Sequence, residues 1–130
     1  MAQEVKLEKS TMIVSETDLK GNIIYANEDF CTIAGYTKDE LIGQPHNIVR
    51  HIDMPKAAFA DLWATVQANK IWKGIVKNKT KSGDFYWVNA TAYKVKKQNG
   101  EERYISVRRK PTDDEVSNAT SLYKELKAKE

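Results

Sequence analysis

The chain has 130 residues, of which 41% are hydrophobic and 30% are charged, and its formal net charge is +3 at pH 7. This length and balance are typical of a single soluble globular domain with a sizeable core. Because the 21 basic and 18 acidic residues are interspersed without a long run of one sign, the sequence argues against nucleic-acid binding and against a role at the membrane surface.

Membrane insertion and secretion are not predicted. No apolar run approaches the roughly 20 residues that cross a bilayer, and the N-terminus lacks the apolar stretch of a secretory signal. The single cysteine, Cys31, can form neither an internal disulfide nor a redox pair, which fits a reducing compartment. We therefore expect a cytoplasmic segment, with any membrane part lying beyond it, and a small buried core residue at Cys31.

The chain begins with an arm and a hairpin. Residues 1–10 are polar and short of apolar side chains, and predict a terminal cap or arm. Residues 12–18 and 23–26 are rich in β-branched side chains and flank a turn that contains Asp, Gly and Asn. This pattern predicts two strands joined as a β-hairpin.

Two short helices are predicted next. Asn27 stands where a helix N-cap is wanted, and Gly35 is a natural C-terminal stop for that helix. Thr37, with Glu40 three residues later, predicts a capping box for a second helix, which we expect to end at Gly43.

The segment that follows, residues 44–55, predicts a binding site. It holds both histidines of the chain together with an arginine and an aspartate, which are His46, Arg50, His51 and Asp53. An arginine gives a bidentate fork for phosphate, and a neutral imidazole gives one donor and one acceptor. The cluster therefore fits an anionic, heteroaromatic ligand. The alternative is a polar loop between helices whose charges are simply solvated.

The rest of the chain predicts a sheet between two helices. Helical spacing of apolar residues indicates a helix over residues 56–70, with Phe59 facing inward. Residues 72–79, 85–96 and 103–110 alternate like antiparallel strands, and a tail helix begins after Thr112. The sequence thus predicts an α+β fold in which helices cover one face of a five-stranded antiparallel sheet and enclose one cavity.

Alternation along the strands indicates which side chains face that cavity. Alternate residues of a strand share a face, so Trp72, Gly74, Val76 and Asn78 lie together. In the cavity, Gly74 leaves room for a ring, Trp72 stacks at the edge of that ring, and the Asn78 amide offers a donor and an acceptor. The alternative for Asn78 is a turn residue at the strand end. On the next strand the shared face consists of Tyr86, Val88, Ala90 and Ala92.

Two blocks of sequence carry a resemblance to a known family. Residues 43–61 include the cluster, and residues 72–78 with 83–88 include the tryptophan and asparagine of the third strand. Both blocks resemble the N-terminal PAS domain of bacterial aerotaxis receptors, over about residues 11–123. We expect an N-terminal cap or arm at 1–10, a PAS sensor domain at 11–111, and a C-terminal helix or linker at 112–130.

The resemblance implies a cofactor and a role. Aerotaxis receptors of this kind hold flavin adenine dinucleotide (FAD) non-covalently and sense its redox state, so the domain is expected to be a sensor and not an enzyme. The residues that correspond to the family's ligand-holding residues are Arg50, His51, Asp53 and Trp72. The implied partners are a cytoplasmic signalling region of the HAMP type and, through it, a chemotaxis kinase complex. A homodimer is also compatible with this role.

Further residues are candidates for contact with the flavin. Asn78 matches the flavin-contacting asparagine of the light-sensing PAS relatives, and His46 stands where those relatives carry a reactive cysteine. Arg108 takes the place of their flavin-facing glutamine, and a cation there is expected to stabilise an anionic reduced flavin. The alternative for Arg108 is an outward side chain paired with an acid. Asn27 is either a ligand contact or a helix cap, and Phe59 is either a ligand contact or core packing.

One position departs from the family pattern. Aerotaxis receptors usually have a proline between the histidine and the aspartate of the cluster, where this chain has Ile52. Proline restricts its own backbone and that of the residue before it. Ile52 is therefore expected to leave the loop freer and to affect how strongly the ligand is held.

Other functions remain open from the sequence. The first is a haem-binding, oxygen-sensing PAS domain with His46 or His51 as the iron ligand. The second is a ligand-free interaction module whose cavity is filled by side chains. A flavin oxidoreductase ranks third, because it needs a substrate pocket with a poised acid or base, and the two histidines of the loop fit a ligand-holding role instead.

Overall fold

The computed structural model describes all 130 residues and has an α+β architecture, as predicted. Five antiparallel strands form one sheet in the order β2-β1-β5-β4-β3. In chain order the elements are β1 (Ile13–Thr17), β2 (Ile23–Ala26), α1 (Glu28–Ala34), α2 (Lys38–Leu41), a 3-10 helix (His46–Val49), α3 (Lys56–Gln67), β3 (Trp72–Lys79), β4 (Phe85–Lys96), β5 (Glu102–Arg109) and α4 (Asp113–Ala128).

The predicted helix starts are confirmed, whereas two helix ends lie earlier than expected. Helix α2 ends at Leu41 and not at Gly43, because Ile42 is already extended. Helix α3 ends at Gln67, and Asn69 has the left-handed backbone (φ +61°) that terminates a helix. The 3-10 helix inside the cluster was not predicted, since four residues are too few to show a period.

Asn27 is the N-cap of α1 and also ties that helix to the sheet. Its Oδ1 accepts from the backbone N–H of Phe30 at 3.1 Å and from that of Val14 at 3.0 Å. Its Nδ2 donates to the carbonyl oxygen of Met12 at 2.8 Å. The helix-cap interpretation is therefore confirmed, and this amide makes three hydrogen bonds within the fold.

The core lies between the inner face of the sheet and helices α1 to α3. The largest fully buried side chains there include Tyr86, Phe30, Ile13 and Val49. Cys31 packs against this core, as expected of a core residue, but it is only half-buried and not buried as predicted. The side chain lies on α1, where only Phe30 and Ala34 are fully buried.

The tail helix and the N-terminal residues both contact the sheet. The Tyr123 hydroxyl of α4 donates to the carbonyl oxygen of Ile75, and Asn89 donates to Glu115 of α4 at 3.1 Å. The N-terminal segment forms a parallel bridge to the start of β4, where the Val5 N–H donates to the Phe85 carbonyl at 2.7 Å. None of the helices combines the length and the apolar character that crossing a membrane requires.

Gly74 provides space for a side chain of the protein itself. A Cβ atom at this position would lie 2.6 Å from Cζ2 of Trp72, closer than real Cβ atoms approach a neighbour. The indole cannot easily move away, because its Nε1 donates to Asp61 of α3 at 2.9 Å. The ring for which Gly74 leaves room is therefore that of Trp72.

Gly74→Ala is expected to lower the free energy of unfolding by about 1–3 kcal/mol, the usual cost of overpacking a core. Denaturant unfolding monitored by tryptophan fluorescence measures this change. The matched control is Lys73→Ala, on the exposed neighbouring position of β3, which is expected to stay within about 0.5 kcal/mol of the parent protein. Equal stability of the two variants would contradict the packing of Trp72 on Gly74.

Candidate functional site

A cavity of about 400 Å³ lies between the inner face of the sheet and α3. This volume is within the range of small-molecule sites. Its lining includes three basic side chains and no carboxylate. The lining residues are Ser15, Thr17, Lys20, Gly21, Pro45, His46, Asn47, Arg50, Phe59, Leu62, Trp63, Val66, Val76, Asn78, Ala90, Ala92, Tyr104, Ile105, Ser106 and Arg108. The cavity is therefore electropositive and half apolar.

Arg108 is a buried cation without an acidic partner. Only 3% of the residue is exposed. Nη2 donates to Ser15 Oγ at 2.7 Å, Nη1 lies 3.0 Å from His46 Nε2, and Nε has no partner. Burial lowers the pKa of Arg108 to about 10, so it remains protonated at pH 7. The alternative of an outward arginine paired with an acid is wrong, because strand parity turns this position inward beside Ser15 and His46.

His46 is a neutral acceptor in this cluster. Burial and the neighbouring Arg108 lower the pKa of His46 to about 3. A guanidinium can only donate, so Nε2 of His46 accepts from Arg108, and the ring proton resides on Nδ1. Ser15 Oγ lies 3.0 Å from the same Nε2. His46 thus faces the cavity as an imidazole whose Nε2 is already occupied.

Asn78 lies in β3 and faces the cavity, as the alternation of side chains along the strand predicted. It is 5% exposed and pairs with Tyr86 across the strands, so it is an interior strand residue and not a turn residue. Its backbone forms an antiparallel bridge with Arg50 of the cluster. Val76, Ala90 and the other inner residues of β3 and β4 supply an apolar wall beside it. Burial raises the pKa of Tyr86 to about 12, so this phenol is neutral.

Arg50 lies over an aromatic ring at the side of the cavity. Its Cζ is 3.9 Å from the centroid of the Phe59 ring, a cation–π distance. It makes no ion pair with Asp53, which instead binds Lys77 at 2.8 Å. Arg50 is therefore not a surface ion-pair partner of Asp53. Both Arg50 and Phe59 line the cavity.

The structure does not bring every predicted site residue to the cavity. The residues His46, Arg50, Phe59 and Asn78 line it, whereas Asn27, His51, Asp53 and Trp72 do not. His51 accepts from the Asp53 backbone N–H at 3.0 Å and lies edge-on to Phe85, and burial is the largest of the effects that lower the pKa of His51. Asp53 lines a second cleft, between the cluster and α4. Direct ligand contact by these four residues stays a prediction.

Residues 50–54 are fastened to β3 on the outside of the cavity. Besides the bridge between Arg50 and Asn78, the Lys77 N–H donates to Met54 Sδ at 3.3 Å. The ion pair with Lys77 lowers the pKa of Asp53, which keeps this carboxylate charged. Asp53 and Lys77 thereby hold in place the loop that carries Arg50. Ile52, in the place of the family's proline, is 80% exposed.

Several lining residues were missed from the sequence. Trp63 follows Phe59 by four residues on α3, so helical spacing could have placed it on the same wall. Ser15 alternates with buried Ile13 on β1, so strand parity could have found it. Lys20 lies in the hairpin turn and gave no signal, because its place at the cavity depends on how that turn packs against α3.

Comparison with known proteins identifies the fold family. The family described as the PAS fold matches residues 23–115, well over half of the chain. The chain belongs to the PAS family. The aerotaxis receptor of Escherichia coli (strain K12) is 48% identical to this PAS domain over 126 residues, which are 97% of the chain and 25% of the receptor. The resemblance to aerotaxis receptors is thus confirmed.

More distant relatives share the PAS domain's sequence or its shape. The nitrogen fixation regulatory protein of Klebsiella oxytoca is 30% identical over 104 residues, which are 79% of the chain and 21% of that protein. The PAS domain therefore spans about a quarter or less of these two relatives. The dark structure of the blue-light photoreceptor Aureochrome1 LOV has a TM-score of 0.69 at 18% identity, covering 87% of this chain and 86% of that one. At that identity the likeness shows the fold alone.

Proposed function

We propose that this PAS domain binds FAD non-covalently and senses its redox state as part of an aerotaxis or energy-taxis receptor. The observation that carries the proposal is the cavity lined by Lys20, Arg50 and Arg108 without any carboxylate. A buried cation is costly unless an opposite charge or a set of acceptors compensates it. The cavity therefore fits an anionic ligand with acceptor atoms at its inner end.

The lining residues match the parts of a flavin nucleotide. At the inner end Arg108 and Asn78 offer donors and an acceptor to the polar edge of a flat ring. Phe59 and the apolar wall of β3 and β4 suit the ring faces. Arg50 offers its guanidinium to phosphate. The identity with an aerotaxis receptor supports this choice, and so does a solved structure of the same fold titled "Flavin Analogue Sheds Light on Light-Oxygen-Voltage Domain Mechanism", with a TM-score of 0.69 and 18% identity.

Sensing follows from the charges that face the ligand. When bound, a flavin supplies reversible electron transfer. Arg108 keeps its proton at pH 7, and its charge favours an anionic form of the ligand. His46 is neutral and its Nε2 is engaged by Arg108, so it cannot act as an acid at that nitrogen. A reduced ligand would therefore be favoured in its negatively charged form beside Arg108.

The altered charge has a route to the tail helix. Asn78 faces the cavity, and the preceding residue, Lys77, faces outward to Asp53. Asp53 and Lys77 both line the second cleft together with Tyr123 and Lys127 of α4. A change in hydrogen bonding at Asn78 would shift the population between two arrangements of this strand and helix. We propose that α4 passes this shift to a cytoplasmic HAMP-type region and a chemotaxis kinase complex, in a membrane-anchored receptor that can form a homodimer.

The geometry supports a flavin better than a haem and better than catalysis. A haem iron would need a free imidazole nitrogen, whereas His46 Nε2 lies 3.0 Å from the Arg108 guanidinium. His51 does not line the cavity. A catalytic role would need a poised acid or base, and the cavity histidine has its Nε2 engaged by Arg108. We therefore assign the domain a sensory role and not an enzymatic one.

Arg50→Gln tests the flavin proposal. Loss of a charged hydrogen bond to phosphate is expected to weaken FAD binding by about tenfold or more and to leave riboflavin binding unchanged. Titration of flavin-free protein, followed by flavin fluorescence, measures both affinities. Arg109→Gln, which removes the same charge from an exposed position, is the control and is expected to bind like the parent. Binding of neither flavin by the parent protein would refute the proposal.

A further inference from the structure

Trp63 lines the cavity beside the hairpin turn that carries the exposed Lys20. This half-buried residue of α3 lines the cavity and stands edge-on to Tyr104 of β5, with ring centroids 5.3 Å apart. Its indole also reaches the hairpin turn between β1 and β2, because a Cβ atom on Gly21 would lie 3.2 Å from Cη2 and Cζ2 of the indole. Gly21 has φ +90°, a backbone conformation that favours glycine. The turn and the tryptophan are thus fitted to each other at the opening.

Polar groups at the same opening suit a phosphate chain. Lys20, next to Gly21, is exposed and lines the cavity. Arg50 and Asn47 line it from residues 44–55. In contrast, Arg108 and Asn78 at the inner end are only 3% and 5% exposed. Exposure therefore increases from the inner donors to the outer cations, and a ligand whose ring lies inside would extend its phosphates toward Lys20 and Arg50.

The size of the cavity leaves part of a dinucleotide outside it. About 400 Å³ lies toward the lower end of the range for ligand sites, which is roughly 300–1,000 Å³. A flavin ring and its ribityl chain are enough to occupy such a space. The second base of a dinucleotide then emerges beyond the phosphates, beside Trp63.

We propose that Trp63, with Lys20, forms a second subsite that binds the purine base and diphosphate of a dinucleotide. This inference rests on the proposed flavin function. It makes Trp63 the residue that lets the domain bind a dinucleotide more tightly than a mononucleotide. Aromatic side chains bind bases by stacking, and replacing such a side chain with alanine weakens binding by roughly five- to 150-fold per base. Trp63 is the aromatic lining residue that reaches the hairpin turn carrying Lys20. A mononucleotide has one phosphate for this subsite and leaves the base position beside Trp63 empty.

Titration of flavin-free Trp63→Ala with FAD, flavin mononucleotide and riboflavin tests the subsite. The parent protein is expected to prefer FAD. The variant is expected to lose about tenfold in affinity for FAD, as base stacking predicts, and to bind the other two flavins as the parent does. Leu62→Ala is the matched control, because Leu62 lines the same cavity from the same helix. Leu62→Ala is expected to weaken the binding of all three flavins by the same factor.

The outcomes separate this inference from the flavin proposal. The second subsite is overturned if folded Trp63→Ala keeps the parent's ratio of FAD affinity to mononucleotide affinity. It is also overturned if the parent binds both nucleotides equally. Neither result contradicts flavin binding itself. Binding of none of the three flavins by the parent overturns the flavin proposal itself. Should Trp63→Ala fail to fold, Trp63→Leu retains a larger apolar side chain than alanine at this position and still offers no stacking surface. The same loss of preference for FAD is expected from it.

Discussion

Arg108→Gln is expected to make the reduction potential of the bound flavin more negative by roughly 60 mV or more, the equivalent of a tenfold change in a one-electron equilibrium. Arg108 is 3% exposed as a residue, lines the cavity and has no carboxylate partner. Its charge therefore acts on the ligand with little screening, and a nearby cation favours the anionic form. Spectroelectrochemical titration and photoreduction of the purified variant measure the change.

Two further variants isolate the charge of Arg108 from its packing. Arg108→Lys keeps a cation at the inner end of the cavity and is expected to retain most of the parent potential, although it loses the fork to Ser15 and His46. Arg109→Gln removes a charge from the exposed neighbouring position and is expected to leave the potential unchanged. If Arg108→Gln stabilises an anionic reduced flavin as well as the parent does, the electrostatic role is wrong.

The flavin-free protein is expected to lose stability as the pH falls below 6.5, and His46 causes this loss. The native state holds the pKa of His46 at about 3, whereas the unfolded chain has the ordinary value of 6.5. Between these values the unfolded state binds one more proton, so the free energy of unfolding falls with decreasing pH by up to about 1.4 kcal/mol per pH unit. Urea unfolding at pH 7, 6 and 5 measures the slope.

His46→Gln is expected to remove most of that slope between pH 7 and pH 5. Glutamine can still accept from Arg108 but does not titrate. His51→Gln is the matched control, because His51 is the other histidine of the chain and lies outside the cavity. Burial also lowers the pKa of His51. His51→Gln is therefore expected to reduce the dependence of stability on pH as well, but by less than His46→Gln does. Equal slopes in the parent and His46→Gln would contradict the buried contact with Arg108.

Much of the fold could be predicted from the sequence because its signals are local. The turn between β1 and β2, the caps at Asn27 and Thr37, and the alternation of β3 and β4 each depend on a few neighbouring residues. The order of the strands in the sheet was not predicted, because it depends on contacts between distant parts of the chain. The ends of α2 and α3 were harder to predict, because helix ends depend on packing as well as on propensity.

The site could be predicted only where a side chain's direction follows from its own element. For this reason, the alternation of side chains along β3 correctly predicted that Asn78 faces the cavity. The same parity put Trp72 on the inner face, yet its indole fills the space over Gly74 and leaves no place for a ligand ring there. Residues 50–55 follow the 3-10 helix without regular secondary structure, so the sequence could not reveal that Arg50 turns inward while Asp53 turns outward. The contact of Trp63 with the hairpin turn joins distant parts of the chain and has no local signal.

The most direct test of a flavin in the cavity uses the protein as it is purified from cells. Its absorption spectrum is recorded, the protein is denatured, and the released compound is identified by chromatography. We expect a yellow protein with a flavin spectrum that releases FAD in an amount equal to the protein. A colourless protein that releases no nucleotide, or one with the intense absorption band of haem, would contradict the assignment.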